Sequence, residues 1–241
     1  MGLSVLLIGF ALGMRHALDA DHLVAVATLA GRASSPWQAV RHGAVWGLGH
    51  TLTLCLFGAV ILSLGSAIPD HVAIALELCV ALMLIVLGLD LLRRIFRDRV
   101  HFHAHTHGDD QAAATRHFHA HSHAGEGAHV ASDHRHEHPE GIPRRALLVG
   151  IMHGMAGSAA LIFLALDASA SVWHGMLYIA LFGVGSIIGM ASLSLIIALP
   201  MRFAARSATG LYNGLQAVIA LSSVSIGVWL AAGHSTALMG G

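Results

Sequence analysis

Residues 3–30 read LSVLLIGFALGMRHALDADHLVAVATLA, an apolar run that carries Arg15, His16, Asp19, Asp21 and His22 in its interior. A spanning helix needs about 20 mainly apolar residues. An Arg or Asp at the centre of such a helix costs about 2.5–3.5 kcal/mol even on a lenient insertion scale, so this cluster persists only where partners or a ligand compensate it. The run is too long and too interrupted by charge for a cleavable signal peptide. Working outward, five further stretches are long and apolar enough to span: 40–68, 70–92, 145–168, 172–200 and 210–233. The expected fold is therefore an all-α polytopic membrane protein with six transmembrane helices. Its parts are a first three-helix membrane repeat (1–92), a polar loop (93–143) and a second three-helix repeat (144–241).

Composition agrees. The 241 residues are 56% hydrophobic and 11% charged, against about 25% charged in an average soluble domain, which argues against a water-soluble enzyme or a nucleic-acid binder. Cys55 and Cys79 lie in apolar runs without paired spacing, so no disulfide framework or zinc knuckle is suggested. The 13 basic residues are all Arg, and those between the spans fall after spans one, three and five. Arginine in short loops stays on the cytoplasmic side, so both termini are expected outside and 93–143 in the cytoplasm of a bacterial inner membrane.

The two halves align weakly. Arg15-His16-Ala17 lies 137 residues before Met152-His153-Gly154, Trp46-Gly47-Leu48-Gly49 lies 136 before Phe182-Gly183-Val184-Gly185, and Glu77 to Gly88 lies 139 before Gln216 to Gly227. With three spans each, the halves would run in opposite senses, an inverted-repeat arrangement typical of transporters.

On a continuous helix, His16, Asp19 and His22 would share an arc of about 120°, able to converge on one ion, while Asp21 would point elsewhere as a supporting or helix-packing group. Imidazoles with a carboxylate suit Ni, Co, Zn, Cu or Fe and poorly suit Mg or Ca. Pairing of Arg15 with Asp19 at i, i+4 would neutralise two charges and leave His16, Asp21 and His22 unexplained. His50, in Gly47-Leu48-Gly49-His50-Thr51, and His153 both fall near mid-span among small residues that permit close helix approach. The expected ligands are His16, Asp19, His22, His50 and His153, with Arg15, Asp21, Thr51 and Glu77 supporting or coupling. No catalytic residues are expected. HxxHH and HExxH boxes are absent and the only close histidine pair within a span is His16 and His22, which disfavours a membrane metalloenzyme of the di-iron hydroxylase or intramembrane zinc protease kind.

Arg15-His16-Ala17-Leu18-Asp19-Ala20-Asp21-His22 resembles, almost position for position, the membrane-helix signature of the nickel/cobalt transporter family, and Gly47-Leu48-Gly49-His50-Thr51 resembles its second, Gly-His-Ser/Thr motif. The resemblance covers about the first 55 residues. It implies that His16, Asp19, Asp21, His22 and His50 recognise metal. The later Asp-Thr-Ala-Thr-Glu element of larger members has no counterpart here. The chain is more similar to the short six-span branch of nickel permeases associated with urease maturation. That likeness implies transported Ni2+ or Co2+, no prosthetic group, and a cytoplasmic metallochaperone of urease or hydrogenase maturation as partner.

Twelve of the 20 histidines lie in 101–138. They include the runs His101, His103, His105, His107; His117, His119, His121, His123; and His134, His136, His138. The segment lacks apolar periodicity and is expected to be disordered without metal, buffering ions through its imidazoles. A divalent ion entering a cell about 100 mV negative inside gains about 4.6 kcal/mol, so uptake needs no further energy source. Proton-coupled efflux for metal resistance is the alternative.

Overall fold

The computed structural model describes residues 3–31, 33, 35–64, 69–98, 101–107, 115–121, 143–156, 171–207 and 209–239. Its helices are α1 (Leu3–His16), α2 (Ala20–Ala30), α3 (Pro36–Leu64), α4 (Asp70–Asp98), α5 (Arg144–Ala156), α6 (Val172–Ser207) and α7 (Thr209–Met239). Among the described residues, four are long and apolar enough to cross a membrane, over Pro36–Leu64, Asp70–Arg97, Val172–Ala205 and Gly210–His234. Residues 65–68 and 157–168, the far ends of two expected spans, lie outside the described residues.

The expected first span is not one helix. It divides into α1 and α2, which at 14 and 11 residues reach about 21 and 16 Å, each too short to cross alone. Between them the chain tightens: Leu18 N–H donates to the Arg15 carbonyl (2.8 Å) and Asp19 N–H to the His16 carbonyl (3.1 Å). Asp19 then turns extended (φ −61°, ψ 145°) and its carbonyl accepts from Leu23 N–H to open α2. Aspartate is a favoured residue at that boundary. Its carboxylate leaves the α2 backbone uncapped, because it is engaged elsewhere.

The helices pack as α3 on α6, α4 on α7, α1 on α6 and α3 on α5. Glycines make these approaches close, and they do so in reciprocal pairs. A Cβ on Gly13 would fall on the Phe182 carbonyl, and one on Gly150 on the Trp46 carbonyl. A Cβ on Gly88 would lie 2.7 Å from the Ala220 carbonyl oxygen, and one on Gly227 2.7 Å from that of Ala81. The equivalent residues of the reciprocal contacts stand at nearly constant separation: Gly13 and Gly150 are 137 apart, Trp46 and Phe182 136, and Gly88 and Gly227 139, as are Ala81 and Ala220.

Ala17, Val26, Trp46, Leu84 and Met190 sit in one buried cluster, and Leu54, Tyr178 and Phe182 in another. The outer faces stay apolar: Leu56, Leu82, Ile196, Val218 and Trp229 are all exposed. Trp37 and Trp173, near the starts of α3 and α6, are exposed as well, in keeping with interfacial anchors.

One stretch expected to lack regular structure is a two-stranded antiparallel ribbon, β1 (His101–His107) and β2 (Thr115–His121). The reason is visible in the sequence: HFHAHTH and TRHFHAH alternate with a period of two, the strand period.

Candidate metal centre

The break between α1 and α2 brings His16, Asp19, Asp21 and His22 into a short compass, against α3 carrying His50 and α5 carrying His153. The ring centroids of His16 and His22 are 4.2 Å apart, those of His22 and His153 4.0 Å. His50 lies 5.3 Å from both His16 and His22. His22, His50 and His153 are buried to 1% exposure or less.

Two carboxylates orient these rings. Asp19 Oδ2 lies 2.7 Å from His16 Nδ1. Asp21 bridges two rings, Oδ1 at 3.0 Å from His22 Nδ1 and Oδ2 at 2.8 Å from His153 Nε2. An ionised carboxylate only accepts hydrogen bonds, so the nitrogen facing it carries the proton and the opposite nitrogen holds a free lone pair. Those opposite atoms, His16 Nε2, His22 Nε2 and His153 Nδ1, are buried without a hydrogen-bond partner, as are both ring nitrogens of His50. Leaving a buried polar atom unpaired costs about 1–3 kcal/mol. In His16 and His22 the free nitrogen is backed by a carboxylate on the far side of the ring, the arrangement metal-ligating histidines adopt, whereas His50 has no such partner.

Donor atoms of His16, His22 and His50 lie within 4.8 Å of one another, and so do those of Asp21, His22 and His153. The helix bend accounts for the difference from a continuous helical wheel. Asp19 bonds back to His16 and is 54% exposed, whereas Asp21 turns inward between two imidazoles. Because Asp19 engages His16, it does not spend its carboxylate on an i, i+4 pair with Arg15, which is exposed at the end of α1.

The other expected residues lie elsewhere. Thr51 donates to the Gly183 carbonyl at 3.1 Å, a contact between α3 and α6. Glu77 pairs with His234 at 3.0 Å, on α4 and α7. Its aligned mate Gln216 donates to Tyr212 Oη and to the Gly31 carbonyl. In the ribbon the register sets His101 opposite His121, His103 opposite His119 and His105 opposite His117. His107 faces Thr115, while His123, His134, His136 and His138 lie outside the described residues.

Two residues at the site were not singled out from sequence as part of it. Trp46 packs its fully buried ring 5.5 Å from His22 and 5.7 Å from His153, and Phe182 lies 5.3 Å from His16. The signal was available, since Trp46 stands one helical turn before His50 and aligns with Phe182 between the halves.

A bundle of apolar helices with an apolar outer surface, closed around four imidazoles and a bridging carboxylate, defines a multi-pass membrane protein with a candidate transition-metal centre. The chain is 33% identical over 205 residues to the urease accessory protein UreH of Bacillus sp. (strain TB-90), an alignment covering 85% of this chain and 80% of that one. It belongs to the UreH family. No family model matches it, and no solved structure is a significant match.

Proposed function

We propose that this protein is a permease for a divalent transition metal, Ni2+ or Co2+, which it carries into the cytoplasm through the His16, His22 and His50 position. The observation that carries this reading is the set of buried, unpartnered imidazole nitrogens converging where a cation would sit. An all-imidazole set, with a carboxylate behind His16 and another behind His22, suits nickel, cobalt or zinc, and gives Mg or Ca little to bind. Asp19 and Asp21 act as the orienting groups, Asp21 for both His22 and His153. Arg15 and Glu77 hold peripheral positions, and Thr51 fixes α3 against α6. The chain binds and releases its cargo and performs no catalysis.

The spans are taken as six, with α1 and α2 as the two halves of one broken span and α5 as the start of another. The reciprocal glycine contacts and the matching pairs α1 on α6 and α5 on α3 support two inverted repeats. A discontinuous helix at the midplane exposes backbone groups to an ion, and the C-terminal end of α1 adds a favourable dipole for a cation. The arginine asymmetry supports termini outside the bacterial inner membrane and the segment 93–143 within the cytoplasm. There the His-rich ribbon receives and buffers the ion, passing it to a metallochaperone of urease or hydrogenase maturation. The relative's name, which ties it to urease, favours nickel and the urease-associated branch.

The test is metal accumulation in cells expressing the protein, with nickel, cobalt and zinc in competition. His16→Ala and His22→Ala are expected to abolish nickel uptake while the protein still accumulates in the membrane. Uptake equal to wild type in both variants would sink the assignment.

A further inference from the structure

The donors of the cluster fall into two overlapping sets. One set of three is His16, His22 and His50; a second is Asp21, His22 and His153. They share His22, whose ring lies between the other two, 4.2 Å from His16 and 4.0 Å from His153. We propose that these are two alternating stations for a single divalent transition-metal ion, and that the ion is handed from one to the other around His22. The inference rests on the permease reading above.

Several features support the handoff. Because His22 belongs to both sets, the ion passes around one ring: as it moves from Nε2 to Nδ1 and takes Asp21 as a ligand, the His22 proton moves from Nδ1 to Nε2 and the His153 proton from Nε2 to Nδ1, so no proton is gained or lost. The ion gives up His16 and His50 and takes His153 and Asp21. A bare ion in a poorly polarisable interior is very costly, so a path with no ligand-free step is the passable one. Transport also needs binding loose enough to release, which a pair of adjacent sites supplies better than one deep site.

The two stations differ in charge. The first is three neutral imidazoles, and the second includes a carboxylate, so Asp21 changes role from orienting His22 to binding the ion directly. His16 and His153 are also the aligned residues of the two halves, 137 apart, which gives each half one station. Finally, the donor chain has open ends and a closed middle. Asp19 is 54% exposed and Asp21 30%, whereas His22, His50 and His153 are sealed.

The experiment uses the full chain in lipid nanodiscs titrated with nickel chloride, and the same protein in liposomes loaded with a nickel-sensitive dye. His50→Gln strikes only the first station, and His153→Gln only the second; the glutamine amide can still donate to Asp21. The expected result is that His50→Gln weakens nickel binding by about tenfold or more, the scale of a disturbed metal site. His153→Gln should leave affinity within about threefold of wild type and cut uptake at saturating nickel by about tenfold. Retained affinity in His153→Gln shows at the same time that the variant is folded. Equal losses of affinity and uptake in His153→Gln would mean a single site with His153 as an ordinary ligand, and unchanged uptake would mean the second station is not used. Either overturns the handoff while leaving the permease reading standing. Wild-type protein that binds no nickel overturns both.

Discussion

Asp19 and Asp21 stand two positions apart and do unequal work. Asp19 orients one imidazole from an exposed edge, whereas Asp21 holds His22 and His153 through its two oxygens. Losing the partner behind a metal-ligating histidine typically costs about 10–100-fold in metal affinity. Asp21→Asn is therefore expected at the upper end of that range for nickel, and Asp19→Asn at the lower end, both read by titration calorimetry on purified protein. The order matters more than the size. If Asp19→Asn were the more damaging, the exposed carboxylate would be a ligand and the reading of Asp21 as the bridging group would fall. At this scale the sequence was informative about which residues form the site and poor about their roles. The density of ionisable groups between Arg15 and His22 marks the position unmistakably, since their cost in an apolar span demands compensation. Which carboxylate turns inward depends on two backbone turns at residues 17–19, and an ideal helical period carries no trace of them.

At the scale of elements, close helix contact through glycine is what sets the imidazoles within reach of each other. Gly150 lies one turn before His153 on α5 and meets the Trp46 carbonyl one turn before His50 on α3. A larger side chain there must push α5 off α3 and carry His153 away from His22. Overpacking costs about 1–3 kcal/mol, so Gly150→Leu is expected to lower the thermal unfolding midpoint in detergent and cut nickel uptake together; a variant unchanged in both would show that the approach is not needed. Gly13→Leu, at the reciprocal contact between α1 and Phe182, should behave alike. Gly13 and Gly150 stand 137 residues apart, the offset at which Arg15-His16-Ala17 and Met152-His153-Gly154 align in sequence.

Two other elements were read less well. The run 3–30 has the composition of one span, and hydropathy does not register a break when polar residues sit on both sides of it. The ribbon escapes a hydropathy reading for a different reason: HFHAHTH and TRHFHAH alternate with strand period, but histidine is not apolar, so no apolar periodicity marks the strands. Deleting 101–138 is expected to remove nickel bound outside the membrane site, measured as a lower metal-to-protein ratio at saturation, while transport into liposomes persists. An unchanged ratio would reduce the segment to a linker.

At the scale of the whole molecule, an apolar perimeter surrounds a buried polar cluster. Leu56, Leu82, Ile196, Val218 and Trp229 turn outward, which in water would be a large liability and in lipid is the natural surface. The polar groups are gathered inside, where an ion meets ligands and little water. On the permease reading proposed above, the membrane potential acting on the ion is a sufficient driving force. A divalent cation falling through about 100 mV gains about 4.6 kcal/mol, enough for more than a thousandfold accumulation. Liposomes clamped with a potassium gradient and valinomycin test this directly. With the interior negative, dye-reported nickel should rise far above the outside level, and with the potential set to zero it should only equalise. Accumulation that ignores the potential and follows an imposed proton gradient in inside-out vesicles would instead make the protein an exchanger working outward.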